Sequence, residues 1–329
     1  MPTTVTSKVG ATNTPTTMDY STLQAWEDAC PANLVTDDKI WRGECYDQGK
    51  FTAGINIGGQ TVDATRYVEL TCAAGASFKD KSGVRTTALT YNATTGSGVA
   101  IEPTSGHTFT RSISYCRFTG LQAQRSGYQY IFNGGGNATF DSCIIDISNR
   151  TETGISGSIA STDKFNNCLF LRGASAVALD VQSTFNGCTF VQVSGSSSGT
   201  AIWSRYNSAI LKNCAVFGFA TLLGGGTLAS GTDYNASDLS SFGTGTHNQT
   251  SLTFVDQFES TTVDFRAKSS GSLDLNGTPD TTNIPTDISG TTRDAVNPTI
   301  GAWEVLVNAT SFTVSGDEGS VFYSIYTGW

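Results

Sequence analysis

The sequence predicts an all-β chain: a parallel β-helix solenoid with a short N-terminal capping helix and a C-terminal β extension. Three observations predict it. A Cys-centred segment recurs along the chain. The composition, with 36 Gly and only 14% charged residues, is that of many short strands and turns. The stretches between the cysteines divide into strand-length runs such as CTFVQV, GTAIWSR and NSAILKN.

The repeat sets the architecture. ISYCRF, FDSCII, FNNCLF, FNGCTF and LKNCAV superpose on Cys116, Cys143, Cys168, Cys188 and Cys214, with separations of 27, 25, 20 and 26 residues. Each copy has a large apolar residue three before the Cys and another two after it. Side chains alternate faces along a strand, so Cys168 and Phe170 point the same way and Phe165 does not, unless the chain bends between them. The residues preceding the cysteines are Tyr115, Ser142, Asn167, Gly187 and Asn213, and Asn and Gly tolerate a left-handed backbone. Each repeat therefore reads as strand, sharp corner, strand. Stacked coils place like on like, which makes the five cysteines a column inside the solenoid. A column spreads thiols along an axis where a metal needs convergent ligands, so no metal is expected and no cofactor.

In chain order, residues 1–18 read as a flexible arm, rich in Thr and without periodicity. Residues 19–35 hold the capping helix, with Ser21 and Gln24 as a capping box and Leu23, Ala25 and Trp26 on its apolar face. Residues 36–304 form the solenoid, starting from less regular strand-like runs such as KIWRGECY and RYVELTCA. At about 23 residues per coil, residues 36–290 make roughly eleven coils and a rod on the order of 50 Å long. Residues 305–329 alternate like strands around an SGDEGS turn and form an anchor, an oligomer clasp or a terminal lid.

Charge and composition exclude several partners. A net charge of -9 with 19 Lys plus Arg provides no basic patch, so nucleic acid and anionic membrane are not expected. The N-terminus lacks the apolar stretch of a secretory signal, and no segment approaches the roughly 18 to 20 apolar residues of a membrane span. A protein made in the cytoplasm with eight Cys is expected to keep most of them as free thiols.

On the Cys-centred coil, on DYSTLQAWEDACPANLVTDDKIWRGECYDQG (19–49) and on TDISGTTRDAVNPTIGAWE (286–304), the chain resembles the right-handed parallel β-helix, or pectin-lyase-like, superfamily. The form it resembles is the one found in tailed-phage virion proteins. VDFRAKSSGSLDLNG (263–277) is similar to the last coil before closure, and the closing segment to a D-I-x-G-x-x-R then I-G-A-Y/W-E pattern. Thr299 stands where that pattern often has an acid, which leaves Asp287 or Glu304 as the partner of Arg293. The resemblance implies a fold, a virion location and a trimer; it does not imply an activity, since the fold hosts lyases, hydrolases, adhesins and inert parts.

For function, the face of the post-Cys strand opposite the cysteines is informative. Ile144, Leu169, Leu171, Val191, Ala215 and Phe217 form an apolar band where a solitary rod would be polar. It is expected to be a subunit interface; cover by a loop or by the C-terminal tail is the alternative. Catalysis is not expected, because Asp141, Asp146, Glu152, Asp163 and Asp180 do not fall in one column and read as solvated surface residues. His107 and His247 stand far apart without a nucleophile. Trp203, Tyr206, Tyr128 and Tyr130 are candidate glycan contacts, or pack corners. The expectation is a non-enzymatic structural virion protein, a capsid decoration, head-fibre or tail-fibre component. Its partners would be copies of itself and capsid or tail proteins, and the alternative is a tailspike-like polysaccharide-binding protein or depolymerase.

Overall fold

A computed structural model of the chain describes residues 1–11, 18–125, 130–148, 162–172, 177–179, 183–193, 199–204 and 208–306. The chain is an all-β parallel β-helix with few helices. Its first wall has nine strands, from Thr3–Gly10 and Lys39–Tyr46 at the front through Val68–Cys72, Cys116–Thr119, Thr139–Asp141, Lys164–Asn166, Thr184–Asn186 and Ser208–Lys212 to Thr227–Leu228. The second wall has seven, from Ala100–Ile101 through Gln122–Gln124, Ile144–Ile147, Leu169–Arg172, Thr189–Gln192 and Ala215–Phe217 to Ala236–Ser237. The third wall consists of two three-stranded stacks, Ile55–Ile57 with Phe109–Arg111 and Phe132–Asn133, and Val177–Leu179 with Thr200–Ser204 and Thr221–Leu223. All pairings between these strands are parallel, because each strand meets its counterpart one coil away.

Like residues stack on like. Phe118, Phe140, Phe165 and Phe185 form a ring ladder with centroids 4.7, 4.8 and 5.0 Å apart. Phe170 and Phe190 stack at 4.5 Å beside them. Each such pair adds about 0.5–1.5 kcal/mol beyond the area it buries. The corner between first and second walls is turned by Ser142, Asn167, Gly187 and Asn213, all with φ between 52° and 58°. These are the left-handed backbones that the repeat demands.

The front differs from expectation in two places. Residues 1–18 do not form an arm throughout: Thr3–Gly10 pairs in parallel with Lys39–Tyr46 as the terminal rung. Its own hydrophobicity is low, and pairing with a partner 36 residues on, Thr3 to Lys39, decides its conformation. The helix Leu23–Asp28 is capped by Thr22, whose Oγ1 accepts from the Ala25 N–H at 3.1 Å, rather than by Ser21. Moving the cap by one residue points Leu23 and Trp26 into the core, and Gln24 instead accepts from the Asn56 N–H at 2.8 Å.

The rear differs too. Nine rungs at about 4.8 Å make a rod of about 38 Å, shorter than eleven coils would be. Over residues 252–305 the chain leaves the stack and lies back along the outside of the second wall. Residues 263–277 are therefore part of this cover and not a last coil.

Candidate functional site

Building outward from the corner places those sequence-predicted residues that fall among the described ones. Register puts Cys143, Cys168, Cys188 and Cys214 in one column, each directly before paired residues Ile144, Leu169, Thr189 and Ala215. Their Sγ atoms donate to the carbonyls of Phe118, Phe140, Phe165 and Phe185 at 3.6, 3.6, 3.3 and 3.3 Å, tying the thiol column to the ring ladder. All eight cysteines are free. Burial pushes the thiols of Cys143, Cys168 and Cys188 well above their ordinary range, so none is a thiolate at neutral pH.

Cys116 is not in that column. It lies in the first wall opposite Val68, and Leu121 is the residue that precedes the second-wall strand at the level of Cys143. The reason is that Phe118, not Ile113, stacks on Phe140, which sets the register five residues later than the local likeness of ISYCRF suggests. Tyr115, at φ 58°, turns a different corner together with Asn137 at 53° and Thr162 at 78°.

The apolar band is not an open interface. Ile144, Leu169, Leu171, Val191, Ala215 and Phe217 are each at most 2% exposed, covered by Phe258, Phe265, Leu273, Ile288, Ile300 and Trp303 of the same chain. The hydrophobic driving force that suggested a second subunit is satisfied within one chain. Accordingly Leu171→Asp should not dissociate an oligomer; it should destabilise the fold by about 3–5 kcal/mol by burying an uncompensated charge, read as a lowered urea midpoint. An unchanged midpoint would show that the cover is not seated there.

The cover is fastened by charge. Arg293 donates to Glu304 at 3.2 Å, to the Thr299 and Gly301 carbonyls at 2.9 and 2.6 Å, and to the corner residue Asn167 at 2.9 Å. Glu304 is thus the acid that replaces one at Thr299. Asp287 holds Arg85 at 2.7 Å and accepts from the Glu304 N–H at 2.8 Å, while the Arg85 guanidinium lies 3.9 Å over the Trp303 ring. Gly301, at φ 102°, lets the backbone approach the second wall so closely that a Cβ there would sit 2.7 Å from Thr189 Oγ1.

The acids read as solvated divide. Asp163 is fully buried, paired with buried Arg111 at 2.6 Å and accepting from the Ala138 N–H at 2.8 Å. Burial raises its carboxyl above the ordinary range, against the pull of Arg111. Asp146 is buried in the band and accepts from Gln124 at 2.6 Å. Both corrections follow from partners in other coils; for Arg111 and Asp163 the two lie 52 residues apart. Asp141 is half-buried, at a corner as expected. Glu152 and Asp180 lie outside the described residues.

His107 stacks on Tyr130 at 5.1 Å and accepts from its backbone N–H at 3.0 Å, so Tyr130 packs against a histidine. His247 stacks on Tyr234 at 4.5 Å with Nδ1 2.7 Å from Asp233, a carboxylate that sequence reading did not connect to it. Trp203 is 45% exposed on the third wall. Tyr128 and Tyr206 lie outside the described residues. No group of three or more His, Cys, Asp or Glu placed to hold a metal occurs among the described residues. Comparison with family models, with curated proteins and with solved structures finds no match for this chain.

Proposed function

We propose that this chain is a non-enzymatic structural protein of a tailed-phage virion, a pectin-lyase-like β-helix that decorates a capsid or forms part of a head or tail fibre. It assembles as a homotrimer on other virion proteins and acts by adhesion and reinforcement. The observation that carries this reading is how the reactive groups are engaged. Asp163 is held by Arg111, Asp264 by Arg266, Asp287 by Arg85 and Glu304 by Arg293, and the thiol column is hydrogen-bonded to backbone carbonyls. Such groups hold coils and cover together. A trimer would use a surface other than the band.

The test is direct. Purified protein incubated with host capsule or exopolysaccharide should leave its chain length unchanged, and labelling of whole virions should find the chain on the particle. Shortening of the polymer that Asp180→Asn abolishes would sink the proposal.

A second reading, polysaccharide binding, is favoured by one feature. Trp203 is 45% exposed and packs against Gly224, where a Cβ would come within 2.3 Å of its ring, so one side of the indole rests on backbone and the rest is open to a sugar ring. Under this reading Trp203→Ala should lower retention on immobilised host glycan about tenfold while leaving stability within about 0.5 kcal/mol. Equal retention by both proteins would remove this reading.

A further inference from the structure

The front of the first wall ends on a strand whose outer edge is only partly used. In a parallel sheet alternate residues direct their N–H and C=O to opposite neighbours. The Thr3 N–H donates to Asp38 O at 2.8 Å, so odd-numbered residues of Thr3–Gly10 face the rod. Even-numbered ones face away. Of these, Lys8 and Gly10 are occupied: Lys8 O accepts from the Asp19 and Tyr20 N–H groups at 2.9 and 3.1 Å, and the Gly10 N–H donates to Tyr20 O at 3.1 Å. Thr4 and Thr6 are exposed, and their backbone groups have no partner among the described residues.

Exposed strand edges are ordinarily protected by charge, proline or a bulge. Thr3–Ser7, TTVTS, has neither charge nor proline and pairs without a bulge, Thr3 to Lys39 through Ser7 to Gly43. It is a flat run of β-branched and hydroxyl residues, suited to receiving another strand. The chain also has a segment of strand-like composition outside the described residues. After Leu306, which is 55% exposed, follow 23 residues, 307–329. Within them SVFYSIYT, residues 320–327, is uncharged, proline-free and rich in β-branched and aromatic residues.

We propose that residues 320–327 of one copy add as a strand to the open Thr3–Ser7 edge of a second copy. The donor is assigned to another copy because of where the tail starts. It leaves from the cover of the second wall, and the corner leading from that wall to the front strand is already taken by Asp19 and Tyr20 on Lys8 and Gly10. Each copy both gives and receives, and in the homotrimer of the proposed function the exchange closes as a ring of three. This deepens the assembly part of the proposed function. A trimer that persists after the tail is deleted overturns this inference and leaves the proposed function standing, whereas absence from the virion, or depolymerase activity, overturns the proposed function and leaves the strand exchange standing.

Two variants separate giving from receiving. Deletion of residues 307–329 leaves an edge without a donor; Thr6→Pro keeps the donor and removes an outward N–H while sparing the pairing toward the rod. Light scattering and sedimentation should show full-length protein at three times the monomer mass and each variant alone as a monomer with unchanged thermal melting. An equimolar mixture of the two variants should form a one-to-one heterodimer. If Thr6→Pro melts early, a synthetic peptide of residues 307–329 supplies the second measurement: it should bind the deletion protein with one peptide per chain. Full-length protein that is monomeric at all concentrations, a deletion protein that still assembles, or a mixture that stays monomeric with no peptide binding would each overturn the proposal.

Discussion

Raising the pH should unfold this protein cooperatively by about pH 10 at 25 °C, with the thiols as the cause. Burial raises Cys116 to about 12 and holds Cys45, Cys143, Cys168 and Cys188 well above the ordinary thiol range. All five are at most 3% exposed. Below about pH 8.5 both folded and unfolded thiols are neutral and contribute nothing to the pH dependence. Above it the unfolded chain releases its protons first, so stability falls with rising pH, by about 1.4 kcal/mol per unit for each thiol. Five together remove about 7 kcal/mol per unit, which within two units matches the whole stability of an ordinary domain. Circular dichroism and thiolate ultraviolet absorbance, followed across pH with a reductant present, should change in one step. Replacing Cys168 and Cys188 by Ala should move that step to higher pH, even though each substitution leaves a small cavity. Thiolate absorbance rising gradually from pH 8.5 in a protein that keeps its strand signal would show that the column is open to water.

Arg293→Ala should lower the free energy of unfolding by about 3–5 kcal/mol, because it leaves Glu304 buried without its cation and removes the donor of the Thr299 and Gly301 carbonyls and of Asn167. Arg293→Lys should recover little of this, since one ammonium cannot reach partners arranged around a planar fork. The effect should be local first. Arg293 joins the cover to a corner of the stack, so limited proteolysis should cut between residues 252 and 306 before the coils open. A urea midpoint within experimental error of the parent, or cleavage in the coils first, would show that the closing segment is held by its apolar contacts alone.

Much of the site was legible because a solenoid repeats its physics at short range. The corner residues Ser142, Asn167, Gly187 and Asn213 and the apolar residues around Cys143, Cys168, Cys188 and Cys214 recur at a spacing that only stacked coils explain. The same local likeness misplaced Cys116, since ISYCRF resembles the other copies but its ring, Phe118, takes the place that precedes the corner in the neighbouring coil. The apolar band was legible as a surface that must be covered. Its partner was not, because hydrophobicity measures the need for contact without specifying which chain supplies it. The ion pair of Arg111 with Asp163 had no sequence signal at all, since their 52-residue separation reflects coil lengths that vary freely in the turns.

By itself, then, the amino-acid order determined the strand periodicity, the corners, the column of thiols and the closing segment that carries Arg293 and Glu304. These depend on steric and solvation preferences acting within a few residues. Only the folded chain decided that Thr3–Gly10 becomes the terminal rung, that the acids at 146 and 163 go inside, and that residues 252–305 return over the second wall. Each of those outcomes is a choice among long-range partners of similar chemistry, settled by which arrangement buries apolar area while giving buried acids such as Asp163, Asp287 and Glu304 an arginine.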